Sequence, residues 1–389
     1  MDNSCHIAID ASNIQNGGGL THLSQLLNSY KPENGDINKI TIWASRNTAD
    51  NLPDRPWIIK KNNLWLEKNL LFRFFWQQIL LSIEIKNEQC NILFSPGGTI
   101  PFMVPVPVVC MSQNMLPFEK HKARLFGLFS LMNLKMRLLR FIQGQSLKKS
   151  DGIIFLSNYA FESISKSLDK KFENSCIIPH GVESRFFQQP RNQIPLSSFS
   201  KENPFRLLYV SILMPYKHQC EIALAIKKLH DMGFDIEMKF IGSTWSWYGA
   251  KFSALIESLD PNHEFLIWKG MESFDDLHLH YQDCDVFVFG SSCENLPNIL
   301  IEAMASGLPI VSSRHGPMPE VLGDSGIYFD PLDIDSIITS INLIMNDVDL
   351  RTSLSRLSWQ RSKLYSWDKT SKESFNFINS FHSKVKIEQ

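Results

Sequence analysis

The sequence has no C-x-x-C pair, and its seven cysteines, at 5, 90, 110, 176, 220, 284 and 293, are odd in number and scattered. That pattern argues against a disulfide framework or a thiolate zinc site and fits reduced cysteines in a cytosolic protein. Net charge is nearly absent, with 39 Lys and Arg against 40 Asp and Glu. A surface built throughout for nucleic acid is therefore not expected. No apolar run approaches the roughly 20 residues of a spanning helix, and Pro101, Pro105 and Pro107 interrupt one of the longest. The start, Met1 to His6, has no cationic region before an apolar stretch, so no signal peptide is expected. These absences leave a soluble protein, at most peripheral to a membrane.

What is present is an ordinary globular composition, 43% hydrophobic and 20% charged, over 389 residues. At roughly 150 residues per domain, two large domains are expected. Short β-branched runs alternate with longer helical patterns, the rhythm of βαβ units and parallel sheets. Strands are expected at 7–10, 40–43, 92–95, 106–111, 152–156 and 175–178. The rhythm restarts with strands at 206–210, 236–241, 265–268, 286–289 and 309–312, and with helices such as 219–232 and 298–306. Between the sets, 188–200 is rich in Pro, Ser and Gln and lacks a period, which marks a linker. The expected domains are 1–187, a linker at 188–204, a second domain at 205–366, and a helical tail at 367–389. Doubly wound sheets bind ligands beyond the carboxyl ends of their strands, so a cleft between the halves is expected.

The stretch from Ser291 to Pro309 is the most informative. An apolar strand runs into a polar turn, Pro297 suits a first helical position, and Gly307 with Pro309 ends the helix. Free backbone amides at about 296–299, with the positive end of the helix dipole, suit a diphosphate. Glu294 in the turn and Glu302 about one turn inside the helix reach different parts of an extended ligand. A carboxylate can accept two hydrogen bonds from a vicinal diol, which suits Glu302 to a ribose and Glu294 to a sugar near the phosphate. Taken alone, the same pattern also fits two surface glutamates on an ordinary α/β connection.

In the first half, Gly17, Gly18 and Gly19 follow a strand and precede a helix from about Leu20. Three glycines allow close backbone approach to a ligand, and a helix start suits phosphate. The cluster is not G-x-G-x-x-G, which counts against a nicotinamide dehydrogenase. Asp283 and Asp285 form a D-x-D, and His278 and His280 lie two apart; the first abuts a buried strand and the second pair would diverge on a helix, so no metal site is expected. From Lys120 to Lys149 there are eight Lys and Arg and no acid, interleaved with Leu, Phe, Met and Ile. This fits either a helix docking on anionic lipid or a core helix with a basic rim. The aromatic, cationic stretch 65–83 adds to it, and no nucleic-acid motif accompanies either.

Glu294 and Glu302 bracket seven residues, and Glu302 continues as E-A-M-A-S-G-L-P-I-V to Val311. Together these resemble the E-x7-E signature of retaining GT-B glycosyltransferases of family 4, the glycosyl transferases group 1. The resemblance extends to Lys217 in the loop after a strand, to Ile178-Pro179-His180-Gly181-Val182-Glu183, to Ile241-Gly242 and to Gly316-Pro317-Met318-Pro319-Glu320-Val321. It implies two Rossmann-like domains facing across a cleft and transfer of a hexose, with retention, from a GDP- or UDP-linked sugar. It implies no cofactor and no metal. Glu294 would contact the donor sugar, Lys217 the diphosphate and Glu302 the ribose. Asn295, Leu296, Pro297 and Asn298 would bind sugar and phosphate through backbone amides, and Gly18 and Gly19 would lie at the donor phosphate.

Gly17 and Gln113 would lie on the acceptor side and Asn114 beside the transferring sugar. Many members of the family carry a histidine near Gln113 and Asn114; these amides can hydrogen-bond a hydroxyl but cannot act as a base. The family commonly has Arg where Ile212 stands, so that cationic contact is either missing here or supplied elsewhere, as by Arg314 or His218. The tail would pack back on the first domain. A lipid-linked saccharide acceptor, as in O-antigen or capsule-type polysaccharide assembly, would place the protein in the cytoplasm at the inner face of the cell membrane. A sugar-nucleotide epimerase, a phosphorylase and a non-catalytic homologue on the same fold are the alternatives.

Overall fold

The computed structural model describes residues 5–15, 17–32, 37–127, 130–244 and 246–387. Met1 to Ser4, Asn16 of the glycine loop, and Leu128 and Phe129 of the basic stretch lie outside them. The chain forms two compact units, one of 1–119, 129–181 and 366–389, the other of 120–128 and 182–365.

In the first unit seven strands, β1 (Cys5–Asp10), β2 (Ile37–Trp43), β3 (Ile58–Lys61), β4 (Ile92–Ser95), β5 (Val108–Met111), β6 (Gly152–Phe155) and β7 (Ser175–Ile177), make one sheet. Its order is β3-β2-β1-β4-β5-β6-β7 and every pairing is parallel. β1, β4, β5 and β6 are buried throughout, as parallel strands covered on both faces must be. The second unit has β8 (Phe205–Val210), β9 (Ile236–Ile241), β10 (Leu266–Trp268), β11 (Val286–Phe289), β12 (Ile310–Ser313) and β13 (Ile327–Phe329). Their order, β10-β9-β8-β11-β12-β13, is again all parallel. Each sheet reverses its winding once, between β1 and β4 and between β8 and β11, and ligands of such sheets bind beyond the carboxyl ends of those strands.

Two strands escape the sequence pattern. β3 is an edge strand reading Ile-Ile-Lys-Lys, and β13 is three residues long, so neither shows an apolar run. The helix expected from Leu20 begins at Gly17, which makes the three glycines its first turn. The stretch 188–204, expected as a linker, lies in the second unit. Gln188 N–H donates to the Ala305 carbonyl at 3.0 Å, and the buried Arg351 guanidinium reaches Gln193 Oε1 at 3.3 Å. Residues 120–127, expected with the first domain, also belong to the second unit.

The tail helix, Trp367–Ile387, lies in the first unit. Ser371 Oγ donates to the Leu26 carbonyl and Thr370 Oγ1 to that of Pro179, both at 2.8 Å. Gly181 sits against the start of this helix: a Cβ there would lie 2.2 Å from the Trp367 nitrogen. Backbone cannot yield as a flexible side chain can, so Gly181→Ala is expected to cost at least about 2 kcal/mol. Urea unfolding would show it as a lower midpoint at unchanged slope. Among the described residues no helix is long and apolar enough to cross a membrane.

Candidate active site

In the second unit the chain leaves β8, crosses Ser211 to Met214 and makes a 3-10 turn at Pro215–Lys217 before the helix Gln219–Asp231. It leaves β11 through a polar loop and enters the helix Asn298–Ala305. The two loops are stitched together at the winding reversal. Ser292 N–H donates to the Tyr216 carbonyl at 2.8 Å, and His218 Nε2 bonds Ser292 Oγ at 2.8 Å. Tyr209, buried in β8, donates its hydroxyl to the Lys217 carbonyl at 2.7 Å. Gly242, at the end of β9, lets the Ser211 carbonyl pass 2.0 Å from where a Cβ would stand.

This stitching brings Lys217 and Glu294 into a direct ion pair, Lys217 Nζ donating to Glu294 Oε1. The lysine is buried and its ammonium lies 5.5 Å from the Tyr216 ring centre and 5.7 Å from that of Phe289. A cation held over aromatic faces and opposite one carboxylate is poised to meet a second anion, because its remaining N–H bonds find no better partner. Phe126, from the short turn Arg124–Phe126, lies 6.1 Å from Tyr216 by ring centres. No local sequence pattern connects those two segments.

Asn295, Leu296 and Pro297 are buried and Asn298 is half-buried. Pro297 precedes the helix and has no N–H, so it cannot donate the amide expected of it. Its carbonyl instead accepts from Leu300 at 3.0 Å and Ile301 at 3.3 Å. Pro297, at the N-cap, makes no side-chain bond to this helix start. Asn298 Oδ1 is buried without a hydrogen-bond partner among the described residues.

Glu302 is buried one turn into the helix. Tyr281, itself fully buried, donates its hydroxyl to Glu302 Oε2 at 3.0 Å. Burial pushes the Glu302 carboxyl up to about 7, against the opposing pull of the Tyr281 hydroxyl. Tyr281, in the helix Leu277–Gln282, was not visible as a site residue, because nothing in the sequence shows that this helix packs its tyrosine against Glu302.

Other expectations resolve as structural roles. His218 does not supply the cation missing at Ile212: its ring is buried, one nitrogen is held by Ser292 and the other faces Glu221 at 3.7 Å. Ile212 is exposed at 37%, and Arg314 is exposed after β12. Asp285 accepts from Arg206 N–H at 2.9 Å, and Asp283 pairs with Arg206 at 3.5 Å and Lys239 at 3.2 Å. Among the described residues no group of three or more His, Cys, Asp or Glu is arranged to hold a metal.

In the first unit Gly17, with φ +66°, and Gly18 face open space, and Gly19 lies beside the Gln113 side-chain oxygen, 3.6 Å from its would-be Cβ. Gln113 and Asn114 follow the end of β5. Asn114 is exposed, and its Oδ1 accepts from the Leu116 N–H at 3.2 Å. The structure therefore brings Gly19 together with Gln113, and Lys217 together with Glu294.

Residues 190–358 match the family of glycosyl transferases group 1. The sulfoquinovosyl transferase SQD2 of Arabidopsis thaliana is 30% identical over 106 residues, 26% of this chain and 21% of that protein. The O-antigen chain mannosyltransferase B of Escherichia coli is 31% identical over 102 residues, 26% of this chain and 27% of that protein. The chain thus spans between a fifth and somewhat over a quarter of these two relatives. Anabaena HepE, solved in complex with UDP and glucose, superposes with a TM-score of 0.71 at 16% identity, covering 96% of this chain and 99% of that one. The fold is accordingly GT-B, two Rossmann-like α/β domains, and the second carries a glycosyl transferases group 1 segment.

Proposed function

We propose that the chain is a retaining glycosyltransferase of family 4 that moves a hexose from a GDP- or UDP-linked donor to a saccharide acceptor. The observation that carries this reading is the Lys217–Glu294 pair at the β8/β11 reversal, with buried Glu302 eight residues further on. The arrival of the donor would give Lys217 a diphosphate to bind and free Glu294 to accept from sugar hydroxyls. Glu302 would accept from the ribose diol, and the helix start at Asn298 would face the phosphates. The diphosphate charge is balanced by Lys217 and those amides, so the scheme uses no metal.

In the reaction the bond between the anomeric carbon and the diphosphate oxygen breaks. The acceptor oxygen bonds to that carbon on the same face, and its proton passes to the leaving diphosphate. Lys217 stabilises the charge that develops on the leaving oxygens, which is the largest requirement of such a step. Gly18 and Gly19 are assigned to the donor phosphate, Gly17 and Gln113 to the acceptor, and Asn114 to the transferring sugar. The amide side chains orient hydroxyls but take no proton. The proposed acceptor is lipid-linked, as in O-antigen or capsule-type polysaccharide assembly at the inner face of the cell membrane. Its support is the basic, apolar helix Leu131–Lys149 of the first unit.

The expected result is nucleoside diphosphate release only in the presence of acceptor, with the product keeping the donor's anomeric configuration by NMR. Release without acceptor, or formation of sugar 1-phosphate, would replace this reading with hydrolysis or phosphorolysis. A thermal-shift panel of nucleotide sugars identifies the donor, because a bound ligand raises stability by mass action.

A further inference from the structure

The helix Leu131–Lys149 in the first unit turns a row of apolar side chains outward and buries several polar ones. It buries Asn133, Gln143, Gly144 and Ser146 beside Met136 and Leu147, while Leu131, Leu134, Leu138 and Phe141 are each more than half exposed. At about 100° per residue these four span a stripe of about 80°. Lys135 borders one side of it and Arg137 and Lys148 the other, all three exposed. A second stripe runs along the helices Leu70–Ile79 and Leu81–Asn87, where Leu71, Phe75, Ile79 and Ile83 recur every four residues and are again more than half exposed.

The loop after β4 joins the two stripes. Phe102 N–H donates to Gln78 Oε1 at 3.0 Å, Ser82 Oγ donates to the Met103 carbonyl, and Ile100 N–H donates to Ser146 Oγ at 3.1 Å. Phe102 and Met103 stand exposed at that junction, with the Lys149 ammonium 5.6 Å from the Phe102 ring centre. So many exposed large apolar side chains on linked elements are uncommon on a protein facing only water.

We infer that this face of the first unit, built from both stripes and the 102–103 loop, lies on an anionic lipid bilayer with its apolar side chains below the headgroups. Charge selects the occupant. The helix Leu131–Lys149 carries no acidic residue, and Lys135, Arg137 and Lys148 border the apolar stripe where anionic headgroups would meet them. A second copy would set the same cations against one another. The surface is distinct from the donor residues, so its test does not depend on transfer.

Sedimentation of the full chain with vesicles is the test. Strong binding is expected to phosphatidylcholine mixed with phosphatidylglycerol, little to phosphatidylcholine alone, and less to the mixture as salt is raised. The double variants Leu134→Ser/Leu138→Ser and Phe75→Ser/Ile79→Ser should each weaken binding about tenfold or more, because each removes apolar surface from the membrane. Lys135→Gln/Arg137→Gln should erase the preference for phosphatidylglycerol. All these positions are exposed, so the variants should keep the wild-type melting temperature and any stabilisation by nucleotide sugars. The inference is overturned if the wild type ignores the anionic vesicles at low salt, or if both leucine- and phenylalanine-containing doubles sediment like it. A stable dimer in ultracentrifugation that the same variants dissociate would overturn it in favour of self-association.

Discussion

Lys217→Met is expected to lower the turnover of sugar transfer about 10²- to 10³-fold, the usual effect of losing one preorganised donor to a developing anion. The same substitution should also destabilise the unliganded protein. Lys217 is buried and Glu294 is its ion-pair partner with a side chain only 16% exposed, so removing the cation strands a carboxylate in a largely dry pocket. The expected cost is on the order of 1–3 kcal/mol. The two effects can be separated by a double-mutant cycle. In Lys217→Met/Glu294→Gln both charges are gone, so stability should largely return while transfer stays absent. Initial rates of acceptor-dependent nucleoside diphosphate release, read beside urea midpoints, measure both. Turnover within a few-fold of wild type for Lys217→Met would remove the lysine from the mechanism. Recovery of activity in the double variant would reduce the pair to a structural ion pair.

The parts of this site that follow a local rule were legible in the sequence. Glu294, Glu302 and the helix between Pro297 and Gly307 sit on a strand, turn and helix whose start and stop residues are all local. The two alternating sets of strands are local too, and they give two parallel sheets. What the sequence hides depends on distant contacts. Tyr281 meets Glu302 because a helix edge 21 residues earlier packs against the site. Phe126 reaches Tyr216 because 120–127 leaves its sequence neighbours for the other unit. His218 looked free to bind phosphate, and its bond to Ser292 across 74 residues takes it out of that role. The basic helix misled for another reason. Its charges line both edges of an apolar stripe, and that order appears only once the face carrying Asn133, Met136, Gln143 and Ser146 is known to be the buried one.

Glu302 should give the protein a pH dependence of opposite sign in binding and in stability. Its carboxyl is pushed up to about 7 by burial, well above the 4.5 of an exposed glutamate. Only the ionised form can accept from both ribose hydroxyls, so donor affinity should rise as pH increases from 6 to 8. Stability runs the other way. Between about 4.5 and 7 the folded state holds a proton that the unfolded state has released. The contribution is therefore complete below the lower value and is lost as pH rises through the upper one. Glu302→Gln removes that loss and should be more stable than wild type at pH 8, by up to about 3 kcal/mol, with little difference at pH 4.5. Its donor affinity should be weak and flat with pH, since an amide oxygen replaces only part of a carboxylate's accepting capacity. Tyr281→Phe tests the cause. The Tyr281 hydroxyl favours the ionised form, so its removal should move the midpoint of donor binding to higher pH. A stability difference between Glu302→Gln and wild type that stays constant from pH 5 to 8 would mean that Glu302 titrates as an ordinary exposed glutamate. The ribose assignment would then lose its buried carboxylate.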